Sequence, residues 1–359
     1  MPPMRPPQVI AVICCLLPAT AFALAGCGGG SDSQTDSSQA TAKSRPAPPK
    51  SEFPAAGGKT LAEVLESAAA RPSEFVLSPA AEVFNVGENR YPFGVFERDG
   101  AQVTDAEVAL YFAHVPAKKG APASAERANA RAERRALDQP AVGPYPAAVE
   151  SLLTEPRFRA RTTVDDPDAA AVVYTTRIDF PSKGEWRIAA LIKDGDELTS
   201  SLLPSAVVGS FEGVPRVGQR APVIHTPTAS DVGGDLAKVT TRIPPERQSE
   251  VDYADVLGKE PIVLLFATPQ FCQSRVCGPV VDVAEQVRRT YGRKAAFIHM
   301  EIFEDNDPGK PVRSQVRAFH LPTEPWLFAI GRDGRIAATI DGAFGVEELT
   351  RVVRKLVAE

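Results

Sequence analysis

The chain has 359 residues, of which 43% are hydrophobic and 24% charged, the composition of a soluble globular protein with room for about two domains. Its 33 prolines and 26 glycines predict many loops and some linker. The formal net charge of −5, with no strongly basic domain, leaves no basis for electrostatic binding to nucleic acid.

At the N-terminus, Arg5 precedes an apolar run over 9–25 that Pro18 interrupts and that Gly26, Cys27 and a glycine triplet end. This is too short and too broken for a secure membrane span, and 1–26 reads as a secretory signal. Leu24-Ala25-Gly26-Cys27 resembles the bacterial lipobox. The resemblance implies cleavage before Cys27, lipidation of its thiol and anchoring on the extracytoplasmic face of a bacterial membrane, which two or more acyl chains make stable. Cleavage near 21–23 instead leaves Cys27 a free thiol in an oxidising compartment. Cys14 and Cys15 depart with the signal, so Cys272 and Cys277 remain as a pair able to form one disulfide.

Residues 27–58 are rich in Gly, Ser, Asp, Thr, Ala and Pro, which predicts a flexible tether. A short helix is expected over 60–70, where Leu61, Val64 and Leu65 share a face. Across 59–213, short alternating runs at 82–86, 91–96, 108–114, 172–180, 185–193 and 198–208 are separated by turn signals such as Asp99-Gly100 and Asp194-Gly195. That pattern predicts an all-β, Ig-like sandwich, with an Ala/Pro/Arg-rich insertion over 116–154. A charged helix is expected at 125–137, where Arg127, Arg131, Arg134 and Arg135 interleave with Glu126 and Glu133 as a solvated face. Trp186 is expected in the sandwich core, and His114 stands alone on its strand.

After a short connection at 214–222, the pattern changes to alternating helices and strands, and 217–359 reads as an α/β domain. Helices are predicted at 251–257, 279–291 and 312–319, with a last amphipathic helix through Leu349, Val352, Val353 and Leu356. Strands are predicted at 262–267 and 295–303, and a hairpin at 326–330 and 336–340 around Arg332-Asp333-Gly334-Arg335.

Three segments of this domain carry a resemblance. Phe266-Ala267-Thr268-Pro269-Gln270-Phe271-Cys272 leaves a buried strand, Cys277-Gly278-Pro279 opens a helix, and Thr323-Glu324-Pro325 stands immediately before a hairpin strand. Over about 217–359 the chain resembles the thioredoxin superfamily, in particular lipoproteins of the TlpA/ResA type. The resemblance implies a thioredoxin-like fold with a cis bond before Pro325, Pro325 facing the cysteines, and the backbone of Glu324 offered to an extended substrate. It further implies exchange between Cys272 and Cys277 and the cysteines of extracytoplasmic proteins, with no diffusible cofactor and with a membrane electron donor if the protein acts as a reductase. A thiol at a helix N-terminus suits this chemistry, because the unpaired amides and the helix dipole favour the reactive thiolate.

The chain departs from the family in two places. The cysteines stand five apart rather than three, about 140° around a regular helix. Cys272 is therefore expected in the loop and Cys277 at the helix cap, with Cys272, the more exposed thiol, attacking; Cys277-Gly278-Pro279-Val280 nevertheless mimics Cys-Gly-Pro-Cys. The strand before the cysteines also lacks the family's buried acid. Glu301 either replaces it or pairs with His299, and Arg275 either favours a thiolate or is merely exposed.

Three alternatives stay open. The disulfide is a permanent staple in a non-catalytic fold; Pro269, Ser274 and Cys277 approximate the peroxiredoxin pattern; or Cys272 and Cys277 with His320 resemble the copper-binding Sco-type proteins.

Overall fold

The computed structural model describes residues 42–116, 135–272 and 274–358. The expected signal segment, Cys27 and most of the expected 125–137 helix lie outside the described residues.

The first part of the chain contains α1 (Leu61–Ser67), β1 (Arg71–Pro72), β2 (Val76–Pro79), β3 (Gly87–Phe96), β4 (Glu107–His114), β5 (Ala141–Pro146), β6 (Ala148–Ser151), α2 (Arg161–Val164), β7 (Val172–Phe180), β8 (Gly184–Asp194) and β9 (Glu197–Val208). These strands build two sheets, in the orders β1-β9-β8-β4-β5 and β2-β3-β7-β6. Strand alternation sends Val108, Leu110 and Phe112 of β4 and Ile188, Ala190 and Ile192 of β8 into the same core as Tyr91, Phe93 and Val95 of β3 and Tyr174 and Ile178 of β7. Trp186 belongs to that core, where its indole N–H donates to the Ser182 carbonyl at 3.1 Å.

Three expectations need correction. First, residues 42–58 are packed rather than a free tether. Arg45 exchanges backbone hydrogen bonds with Val149 at 2.8 and 2.9 Å, and Phe53 and Ala56 join Leu61 and Val64 over Ala109, Tyr111 and Ala113. The sparse apolar residues suffice because Phe53 and Ala56 cover the outer face of β4; burying a side chain such as Phe53 contributes about 1.5–3 kcal/mol. Second, residues 82–86 form no strand. The edge strand is β2, whose Ser78-Pro79 resembles a turn in sequence. Third, the segment 116–154 is no mere insertion, since β5 and β6 supply an edge strand to each sheet. Gly143, Pro144 and Pro146 conceal β5 from a periodicity reading, yet prolines are tolerated at a sheet edge.

The second part contains α3 (Tyr253–Val256), β10 (Ile262–Phe266), α4 (Cys277–Tyr291), β11 (Ala296–Met300), α5 (Ser314–Ala318), β12 (Trp326–Ile330), β13 (Ile336–Asp341) and α6 (Val346–Leu356). The sheet order is β11-β10-β12-β13, with β10 parallel to β11 and antiparallel to β12. β10 is apolar throughout because both its faces are covered: Val263 and Leu265 meet α4 and α6, while Ile262, Leu264 and Phe266 meet Tyr253, Val316 and Phe319. Helix α4 begins at Cys277 itself, two residues before the predicted start.

The two parts pack tightly against each other. Leu152, just after β6, and Val173 of β7 share a cluster with Val280 and Val281 of α4 and Val353 of α6. Arg90 holds Glu348 with two bonds of 2.8 Å, and its guanidinium also donates to the Asp341 and Ala343 carbonyls. The Asp341 carboxylate accepts the Glu82 and Val83 N–H groups at 3.2 and 3.1 Å, and burial raises its pKa to about 7. Gly342, at φ +81°, lies so close to the Ala80 carbonyl that a Cβ there would collide with it.

Candidate redox site

Because β10 and β11 are parallel, the chain must cross the sheet between them, and α4 makes that crossing. Phe266, the last residue of β10, pairs with Trp326, the first of β12, so the segment leading to Cys272 and the residue Pro325 emerge at the same end of the sheet. Pro325 is buried after a cis bond from Glu324, and its carbonyl accepts the Gly342 N–H at 2.9 Å. Glu324 is half-buried, which raises its carboxyl pKa.

A helix leaves its first N–H groups without intrahelical partners. At α4 the N-cap is Val276, which has no side-chain acceptor, and no acid stands in the first turn. The gap is filled from the loop: the Cys277 N–H donates to Sγ of Cys272 at 3.3 Å. The Ser274 hydroxyl lies 3.2 Å from the same sulfur. Cys272 and Cys277 are joined by a disulfide with their Cα atoms 5.8 Å apart. Cys277 is fully buried among Val280, Val281 and their neighbours, whereas Cys272 is half-buried. The wide spacing thus lets Cys272 reach back over the helix end.

Behind this loop lies a polar layer supplied by the long segment 222–252, which periodicity left unread. The Gln270 N–H donates to the Thr241 hydroxyl at 3.2 Å, and the Thr241 N–H donates to Glu301 at 2.6 Å. Glu301 is fully buried, and among the described residues its Oε2 has no hydrogen-bond partner and neither sulfur is bonded to it. His299 pairs with Glu246 at 2.6 Å rather than with Glu301, and its other ring nitrogen meets the Ala267 carbonyl at 3.0 Å. Burial disfavours both charges of this pair, but their mutual attraction outweighs it, raising the His299 pKa and lowering that of Glu246. Arg242 is held by Asp282 of α4 at 2.8 Å and by the Phe158 carbonyl at 2.6 Å; burial raises the Asp282 pKa against the pull of that cation.

The first part of the molecule forms a wall of the site. The Ala170 N–H donates to the Arg275 carbonyl at 3.1 Å, and the Arg275 guanidinium pairs with Asp168 at 3.0 Å. A Cβ on Gly278 would lie 2.9 Å from the Thr163 hydroxyl, so the second residue of α4 is a glycine where the neighbouring segment crosses the helix. A pocket of about 40 Å³ lies between Thr162, Thr163 and Asp166 on one side and Gln270, Cys272 and Arg275 on the other. Asp165-Asp166-Pro167-Asp168 reads in sequence as a polar turn, and nothing local marks its role here. Ser274, which the sequence groups with Pro269 and Cys277, meets the sulfur of Cys272 instead.

The remaining candidates fit less well. The buried Cys277 lacks the access a peroxide-attacking thiol needs. His320 lies against the backbone of Gly213, in the connection between the two parts. Among the described residues no group of three or more His, Cys, Asp or Glu side chains is placed to hold a metal ion, and no helix is long and apolar enough to cross a membrane.

No protein-family model matches the sequence, and no curated protein matches it. Among solved structures, the chain is similar to a thiol:disulfide interchange protein of the thioredoxin family from Chlorobium tepidum TLS, with 18% identity over 40% of this chain and 97% of that one and a TM-score of 0.28. It is also similar to a DUF4784 family protein from Bacteroides caccae ATCC 43185, with 10% identity over 38% of this chain and 24% of that one and a TM-score of 0.19. At these scores neither likeness bears on the chemistry of the site.

Proposed function

We propose that the protein is a membrane-anchored, extracytoplasmic thiol–disulfide oxidoreductase in which Cys272 attacks and Cys277 resolves. The observation that carries this reading is the Cys277 N–H aimed at the Cys272 sulfur. A sulfur held at the positive end of a 15-residue helix is stabilised as a thiolate, the form that attacks disulfides. In the reductase direction, the Cys272 thiolate bonds to one sulfur of a client disulfide and expels the other as a thiolate, which takes up a proton. Cys277, losing its proton, then attacks Cys272 Sγ and releases the second client sulfur. The client gains two electrons and two protons, and the protein is left with the Cys272–Cys277 disulfide.

In this reading 217–359 is a thioredoxin-like domain, supported by its element order and by Pro325 at the cysteine end of the sheet. The Glu324 backbone binds an extended client segment there. The region 59–213 is an Ig-like sandwich: β2, β3, β7 and β6 stand in the order of Ig strands A, B, E and D, facing β9, β8 and β4 in the order G, F and C. Cleavage before Cys27 and its lipidation place the protein at the cell envelope, where a membrane partner returns electrons if it works as a reductase.

The competing reading, a permanent staple, draws on the full burial of Cys277. Trapping separates the two. With Cys277→Ser, Cys272 is expected to accumulate as a mixed disulfide by attack on glutathione disulfide, with release of one glutathione thiol, or on a disulfide-bonded client; failure to trap any partner, with loss of stability on removing either cysteine, supports the staple.

A further inference from the structure

Two residues between the cysteines, Arg275 and Val276, touch the first part of the molecule. Arg275 adopts a left-handed backbone conformation, φ +60°, which a residue with a side chain does not choose unaided. Its carbonyl is held by the Ala170 N–H and its guanidinium by Asp168. Val276 beside it is buried in the cluster that includes Ala170 and Val173. The four-residue spacer is thereby fixed at Arg275 and Val276 by partners outside its own domain.

We propose that Asp168 is a positioning residue of the redox site, holding the loop through Arg275 in the shape that favours the disulfide. The inference rests on the oxidoreductase reading. Its logic is linkage: the clamp is made in the oxidised form, and on reduction the two sulfurs part from bonding to non-bonded distance, which the clamped loop resists. A contact that favours the disulfide is favoured by it in equal measure. Asp168 also engages the Arg275 charge, which otherwise is free to stabilise the Cys272 thiolate. Both effects have one sign, so removing Asp168 makes the disulfide easier to reduce. The sandwich then acts as part of the redox centre rather than as a spacer.

The test equilibrates the full chain with glutathione. Two glutathione thiols give up two electrons and two protons, the Cys272–Cys277 disulfide becomes two thiols, and one glutathione disulfide forms; alkylation of the free thiols reads the ratio. Asp168→Asn is expected to raise the equilibrium constant for reduction roughly three- to tenfold, about 14–30 mV at 29.6 mV per tenfold. Arg275→Ala is expected to release the same clamp, and adding Asp168→Asn to it to change nothing further. Asp165→Asn, which removes a neighbouring exposed carboxylate paired with Arg161, is expected to leave the ratio unchanged. An unchanged or more reducing Asp168→Asn protein overturns the inference while leaving the oxidoreductase reading intact. Conversely, a wild-type disulfide that glutathione cannot reduce sinks that reading, and dithiothreitol titration of the same proteins still decides whether Asp168 favours the disulfide.

Discussion

The backbone N–H of Cys277 donates to the sulfur of Cys272 across 3.3 Å, so the loop cysteine caps the helix that its partner begins. In Cys277→Ser this amide remains, and the Cys272 thiol is expected to titrate at least one unit below the ordinary cysteine value of about 8.5. The pH dependence of its alkylation measures this. Cys277, fully buried, is expected to react at least tenfold more slowly in Cys272→Ser.

The Ser274 hydroxyl offers the same sulfur a second hydrogen bond. Adding Ser274→Ala to the Cys277→Ser background is expected to raise the Cys272 pKa by roughly half a unit to one unit. An unchanged pKa shows that the contact belongs to the disulfide form alone.

Asp341 links its own pKa to folding. Its folded value, about 7, lies above its unfolded one because burial disfavours the carboxylate. A carboxyl shifted upward binds its proton more tightly when folded, so its contribution to stability is complete below pH 4 and is lost as pH rises through 7. Urea unfolding is expected to show a decline on the order of 4 kcal/mol between pH 4 and pH 8 from this group. Asp341→Asn, which keeps an acceptor for the Glu82 and Val83 N–H groups, is expected to remove most of that slope.

Gly342 lies where the two parts touch, with a positive φ and the Ala80 carbonyl in the place of a Cβ. Gly342→Ala is expected to cost roughly 2–4 kcal/mol, the sum of an overpacked contact and a strained backbone. Gly100→Ala is the comparison: its φ is +94° but among the described residues nothing beyond its chain neighbours lies within 4 Å of an added Cβ, so only the backbone cost of about 1–2 kcal/mol is expected.

The buried pair of Arg242 and Asp282 ties α4 to the 222–252 segment. Arg242→Met strands a carboxylate in the interior and is expected to lower stability by about 3–5 kcal/mol, with much of the loss recovered when Asp282→Leu is added. Chemical denaturation of the two variants provides the check.

What the sequence disclosed and what it withheld follow the range of the interactions concerned. The 172–180 and 326–330 strands were legible to the residue because their apolar pattern is local, and the helix after the cysteines because Val280, Val283, Ala284 and Val287 recur on one face. β5 was hidden by its prolines. Ala42 and Phe53 were hidden because the surface they cover belongs to strands far along the chain. The disulfide between Cys272 and Cys277 and the cis bond before Pro325 were readable from motif residues, and the cap made by Cys272 was prepared by the cysteine spacing. Asp168 and Ala170 were not readable, since a polar turn carries no mark of the loop it will meet. His299 lies on β11 and Glu301 just beyond its end, yet the partner of His299 comes from the aperiodic 222–252 segment.

The standard redox potential of the Cys272–Cys277 pair in the wild-type chain tests the central claim most directly. A helix-capped, exchanging disulfide is expected to lie in the range of catalytic pairs, roughly −270 to −120 mV. A value below roughly −300 mV, the range of permanent structural disulfides, contradicts the account.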